Sequence, residues 1–217
     1  MKPREISELH YILFNKPYGV LSQFTPQAGR RTLSEFGPFP RDVYAAGRLD
    51  ADSEGVLLLT NDNELTHRLT SPEFNHPRTY LVQIEHVPNE GALERMRRGL
   101  VIEGNKTKPA RVRRLTHEPS LPPRGVPIRF RKTVPTAWLE ITLYEGRNRQ
   151  VRKMTAAVGH PTLRIVRTKI GFLSLHGVEV GKSRRLTDGE KVRLRSSVRL
   201  PSVSSPHATL RRARRES

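Results

Sequence analysis

The chain has no cysteine. That excludes a disulfide framework, a thiolate metal site and a cysteine nucleophile. It also fits a reducing compartment, so a cytoplasmic location is expected. Long apolar runs are absent too: nothing approaches the roughly 20 residues needed to span a bilayer. The N-terminal MKPREISELHYILFN has neither an apolar core nor a small-residue cleavage site, so no signal peptide and no membrane partner are expected. Walker A and Rossmann glycine patterns are missing, which leaves no nucleotide cofactor indicated. The eight histidines never fall at ligand spacing beside an acid on a predicted helix, so no metal is expected either. No serine sits in a G-x-S-x-G turn. Acids are scarce, with 21 Asp and Glu against 39 Lys and Arg, for a formal charge of +18. The surplus is clustered, which favours a polyanionic partner, nucleic acid being the commonest.

What is present suffices for a core. The 217 residues are 35% hydrophobic, enough for one large domain or two small ones. Tyr11–Asn15, Val20–Phe24, Tyr44–Ala46 and Val56–Leu59 read as strands. Thr79–Glu85 alternates with period two, as a half-buried strand does, and Ala137–Tyr144 is a further strand. Leu163–Thr168 reads as a strand with its arginines on one face, followed by strands at Gly171–Leu175 and Lys191–Leu194. Helices are expected at Asn63–Leu69 behind an Asp62 cap, at Glu90–Arg98 behind Asn89, and at Arg149–Val158. His117–Pro135 carries five prolines and reads as an excursion loop. Strands outnumber helices without a regular βαβ rhythm, which argues for an α+β fold with a mostly antiparallel mixed sheet. From Ser196 the chain is Ser, Pro and Arg, so residues 1–195 are expected to fold and 196–217 to form a basic, disordered tail.

Two stretches carry the candidate chemistry. Tyr44–Asn61 (YAAGRLDADSEGVLLLTN) reads as strand, tight loop, strand, with Arg48, Asp50, Asp52 and Glu54 in or beside the loop. Alone it fits a hairpin with solvated acids as well as a catalytic loop. Tyr144–Met154 (YEGRNRQVRKM) is a strand, a glycine turn and a basic helix start. Like charges this dense are costly unless anions lie near. Lys106–Arg114 adds five basic residues, as a solvated strand or as an RNA-facing edge.

Taken together, these segments resemble a known family. Gly47-Arg48-Leu49-Asp50 followed by Asp52-Ser53-Glu54-Gly55 resembles the second motif of the pseudouridine synthases. Asn15-Lys16-Pro17-Tyr18-Gly19 looks like their first motif, Arg78–Val82 like the segment that supplies their active-site tyrosine, and Glu145–Met154 like their third motif. The match is to the RsuA-type branch, and within it to E-type members that act on large-subunit ribosomal RNA. It covers about residues 10–195. Most RsuA-type enzymes carry an S4-like domain ahead of the first motif; here that motif starts at Asn15, so none is expected.

The resemblance implies the pseudouridine synthase catalytic fold in two subdomains and an isomerase that needs no cofactor. Asp50 would act at the ribose of a flipped uridine, either attacking C1′ or removing the 2′ proton. Tyr80 would stack on the base, and Arg152 would pair with Asp50 and keep it ionised against desolvation. Arg48 would help displace the target base. Lys16, Arg78, Arg147, Arg149 and Lys153 would bind RNA, mostly at phosphates. Asp52 and Glu54 would shape the loop. A monomer is expected. The alternatives are a silent ribosome-associated RNA-binding protein, or the same chemistry on small-subunit ribosomal RNA or tRNA.

Overall fold

The computed structural model of the chain describes residues 8–128 and 133–201. In chain order the strands and helices are β1 (Tyr11–Lys16), β2 (Val20–Leu21), β3 (Arg31–Thr32), β4 (Tyr44–Ala45), β5 (Glu54–Thr60) and α1 (Asn63–Thr70). Then follow β6 (Arg78–Glu85), α2 (Glu90–Arg98), β7 (Val101–Ile102), β8 (Asn105–Lys106), β9 (Arg111–Arg114) and β10 (Thr136–Leu143). The chain continues with α3 (Gln150–Ala157), β11 (Thr162–Ile170), β12 (Leu173–Ser174), β13 (Ser183–Arg185) and α4 (Asp188–Ser197). The main sheet runs β13-β1-β5-β11-β6-β10-β9, with β4 added to β5 and β12 to β11. Its pairings are antiparallel except one, β5 with β11. This is the expected α+β fold.

The apolar patterning explains the layering. β5 is buried along its whole length, so its residues alternate between two cores. Val56 and Leu58 join Tyr11 and Leu13 under α1 (Leu65, Leu69) and α4 (Leu194). Leu57 and Leu59 join Ile12 and Phe14 on the opposite face, against Leu33 and the partly buried Phe36 and Phe39. A third core lies on the other half of the sheet, where Val82 and Ile84 of β6 and Leu139 and Ile141 of β10 meet Met96 of α2 and Met154 of α3. The parallel β5–β11 pair is the seam between the halves.

At that seam the backbones nearly touch. Gly55 has φ +110°, and a Cβ there would stand 2.2 Å from the Arg167 carbonyl oxygen. Only glycine permits both that dihedral and that approach. One residue earlier, Glu54 takes both oxygens to Arg164: Nε at 2.9 Å and Nη2 at 2.8 Å. The pair is buried, and Arg164 Nη2 also donates to the Pro122 carbonyl at 2.8 Å. This one ion pair ties together β5, β11 and the proline-rich loop.

Four sequence expectations change. Lys191–Leu194 is not a strand but lies within α4, opened by a capping box between Thr187 and Glu190. The fold does not stop at residue 195: α4 runs to Ser197, and Val198 and Leu200 are buried against α1 and β1. Arg68 donates to the carbonyls of Val198 and Arg199, so the chain is still packed at 200. Residues 202–217, the rest of the expected tail, lie outside the described residues. The arginines of β11 do not share a face, because positions three apart point to opposite sides of a strand. Arg164 goes to Glu54 and Arg167 to the other side. Finally, the strand expected at Val20–Phe24 ends at Leu21.

Candidate active site

Beside the seam the molecule opens into a cleft of about 710 Å³. Its walls are the Gly47–Ser53 loop, the start of β6, the turn before α3, and β11. Seven of the nine residues nominated from sequence line it: Asp50, Tyr80, Arg152, Arg48, Arg78, Arg147 and Arg149. Lys16 and Lys153 do not.

The Asp50 loop is held from three directions. The Ser22 hydroxyl donates to the Leu49 carbonyl at 2.8 Å and accepts from the Leu49 amide at 3.1 Å. The Gly19 amide donates to the Ala51 carbonyl at 2.7 Å. Within the loop the Ser53 amide donates to the Asp50 carbonyl at 3.1 Å. Lys16 is fully buried behind this loop, not available to a phosphate as expected. Its Nζ donates to the carbonyls of Pro17 (2.9 Å), Val20 (2.7 Å) and Ala51 (3.5 Å). The segment read as a first motif therefore works as a buttress for the loop that carries Asp50.

Burial pulls the Lys16 pKa down to about 7, against the opposing pull of Glu54 and Asp52. The unfolded chain then holds a proton at this site from about pH 7 to the usual lysine range, while the folded chain does not. Stability from this group accordingly rises with pH across that window. Urea melts of wild type and Lys16→Met at pH 7 and pH 9 should show the difference between them moving in favour of wild type at the higher pH.

The opposite wall is set by the Glu145–Lys153 segment. Glu145 is buried and accepts from the Lys108 amide and from Gln150 Nε2, both at 2.8 Å. Arg147 donates to Glu145 at 3.2 Å and to the Asn105 and Lys106 carbonyls. Lys153 pairs with Glu103 at 2.8 Å. Arg147 and Lys153 are thus spent on internal contacts with the β7–β8 hairpin. Arg149 precedes α3 in the left-handed region (φ 51°, ψ 33°), an uncommon state for a side-chain-bearing residue. That twist sends its guanidinium across the cleft.

Here the expected Asp50–Arg152 pair is not formed. The guanidinium nearest Asp50 is that of Arg149, at 3.7 Å. Arg152 Nη2 instead meets Asp52, at 3.2 Å to the carboxylate and 2.8 Å to the backbone carbonyl. Arg149 Nη2 reaches the same Asp52 carboxylate at 3.1 Å. The charges alternate in a row: Arg152, Asp52, Arg149, Asp50. Asp52 is its hub rather than a mere loop former. Burial raises the Asp52 pKa, but the hydrogen bond from Arg149 and the charges of Arg152 and Arg149 outweigh it and hold the carboxyl below its usual range. Arg152 is itself depressed by burial.

Arg48 is exposed at the rim, with no side-chain partner among the described residues. Arg78 is buried and donates to the Leu69 carbonyl, so it is no surface phosphate contact. Sequence reading missed Ser22, whose clamp on Leu49 spans 27 positions, and Arg167, which looked like one more strand arginine. Among the described residues, no group of three or more His, Cys, Asp or Glu is placed to hold a metal. Nor is any helix long and apolar enough to cross a membrane.

Comparison with known proteins now bears on this cleft. A protein of Xanthomonas campestris named ribosomal large subunit pseudouridine synthase E is 54% identical over 184 residues, spanning 84% of this chain and 97% of that one. One of Vibrio vulnificus with the same name is 48% identical, over 86% of this chain and 79% of its own length. Ribosomal large subunit pseudouridine synthase B of Bacillus subtilis is 36% identical, over 88% and 74%. A crystal structure titled pseudouridylate synthase superposes with a TM-score of 0.72 at 30% identity, covering 87% of this chain and 75% of that one. The profile described as RNA pseudouridylate synthase matches residues 10–157, a span that takes in the Asp50 loop, Tyr80 and the Arg149–Arg152 turn. On sequence and on fold alike, this chain belongs to the RNA pseudouridylate synthase family of isomerases.

Proposed function

We propose that the chain converts a uridine of large-subunit ribosomal RNA to pseudouridine, with Asp50 as the group that acts at the ribose. The supporting observation is the placement of Asp50: a half-exposed carboxylate on a clamped loop, facing Arg149 in a cleft that also holds Tyr80. The names of the similar Xanthomonas, Vibrio and Bacillus proteins support the large-subunit substrate.

In this reading a target uridine leaves its stack, at a cost of a few kcal/mol, and enters the cleft. Arg48 at the rim fills the gap it leaves, and the charge of +18 draws in the RNA backbone. Tyr80 lies under the base. Asp50 either bonds to C1′ or takes the 2′ proton. In both routes the C1′–N1 bond breaks with its electron pair on the ring. The ring turns and bonds through C5 to C1′ as Asp50 leaves C1′ or returns the 2′ proton, and C5 gives its proton to solvent. Arg152 acts at one remove: it fixes Asp52, Asp52 fixes Arg149, and Arg149 keeps Asp50 aimed.

Tritium release from C5-labelled RNA tests the proposal. Release from large-subunit ribosomal RNA is expected. Release confined to small-subunit RNA or tRNA would move the substrate, and binding without release from any RNA would leave a binding protein.

A further inference from the structure

The floor of the cleft holds more positive charge than its acids balance. Arg167 is 2% exposed, yet no carboxylate lies within ion-pair distance of it among the described residues. Its Nε donates to the Val56 carbonyl at 2.7 Å, and its buried Nη2 has no partner. Arg78, also buried, has a carbonyl partner but no acid. Arg167 is directly across the β11–β6 pair from Tyr80, and Arg78 is two residues from Tyr80 on the same face of β6. Burial first, with the Arg167 charge adding to it, lowers the Arg78 pKa. Two like charges kept this close and out of water are a standing cost.

An anion near them would offset that cost, and depth decides which one. A rim cation such as Arg48 suits phosphates, which stay in water. The floor beside Tyr80 is reached by the inserted base. We propose that Arg167, backed by Arg78, stabilises the pyrimidine anion that exists after the C1′–N1 bond breaks and before C5 bonds to C1′. This rests on the reading of Asp50 and Tyr80 above. The nearly closed Arg167 acts through its field in a poorly screened interior, where a fixed charge is worth far more than in water. It favours the charged ring during the turn and makes no bond to the ribose.

Changing the leaving group tests this. Fluorine at C5 withdraws electrons and makes the ring anion more stable on its own. RNA carrying uridine or 5-fluorouridine at the position the wild type modifies is compared in single turnovers, with loss of the original nucleoside read by liquid chromatography of the digested RNA, which separates uridine from its isomer of equal mass. Arg167→Met should lower the single-turnover rate constant on uridine about 100-fold with the half-saturating concentration unchanged, the scale seen when one preorganised charge donor is removed. The loss on 5-fluorouridine should be much smaller, and Arg167→Lys should recover most of the uridine rate. Arg78→Gln should repeat the pattern more weakly, which covers the case of Arg167→Met failing to fold. Equal losses on the two substrates in the folded variants would overturn the proposal and leave Arg167 a packing residue. A wild type that consumes neither substrate would overturn the proposed function and this inference with it.

Discussion

Asp50→Asn should abolish tritium release, by roughly 10³-fold or more, while RNA affinity and melting temperature stay at wild-type values. Asparagine keeps the size of the side chain but can neither bond to C1′ nor take a proton. Asp50 is only half-buried and its loop is held through backbone groups, by Ser22 and Gly19 above all, so the fold does not depend on its charge. Release measurements beside filter binding and thermal melts check all three parts. Unchanged release would remove Asp50 from the chemistry. Asp52→Asn gives the contrast: it leaves Asp50 in place but cuts the link between Arg152 and Arg149, so a partial loss is expected.

Arg164→Leu should be strongly destabilising at the seam. It leaves the Glu54 carboxylate buried without its two-pronged partner and strips a donor from the Pro122 carbonyl. Removing one member of a buried pair costs about 3–5 kcal/mol. In a chain of this size that corresponds to a fall of about 10 °C in melting temperature. Glu54→Leu should do comparable harm. The double variant Glu54→Leu/Arg164→Leu should be more stable than either single one, because the penalty is for an unmatched charge and not for the lost bond. Melting temperatures that simply add would mean the two side chains do not stabilise each other.

Local rules reached the regular elements. Period two in Thr79–Glu85 and the apolar run at Tyr11–Asn15 match β6 and β1, and the Asp62 and Asn89 caps open α1 and α2 as read. Lys191–Leu194 misled because KVRL fits a short strand, while the signal that decides it, the capping box at Thr187 and Glu190, lies upstream. In the cleft, most of the residues that line it were legible but their partners were not. Asp50 and Asp52 are two positions apart, and only the left-handed turn at Arg149 decides which acid each arginine meets. Lys16 looked like a phosphate contact because nothing local says that a lysine ending a strand will be sealed behind a loop 35 residues away. The Glu54–Arg164 pair spans 110 positions, beyond any periodicity.

The parallel seam also sets when the cleft is complete. β5 and β11 meet through Val166 with Glu54 and Arg167 with Gly55, partners more than a hundred positions apart. Closing so long a loop is entropically costly and comes late among folding events. The Asp50 hairpin can form on β1 early, but one wall of the cleft does not exist until β11 has been synthesised and has docked at Gly55. A nascent chain short of residue 170 therefore lacks that wall however well its first half has folded, and the cleft closes only when β11 has docked on β5.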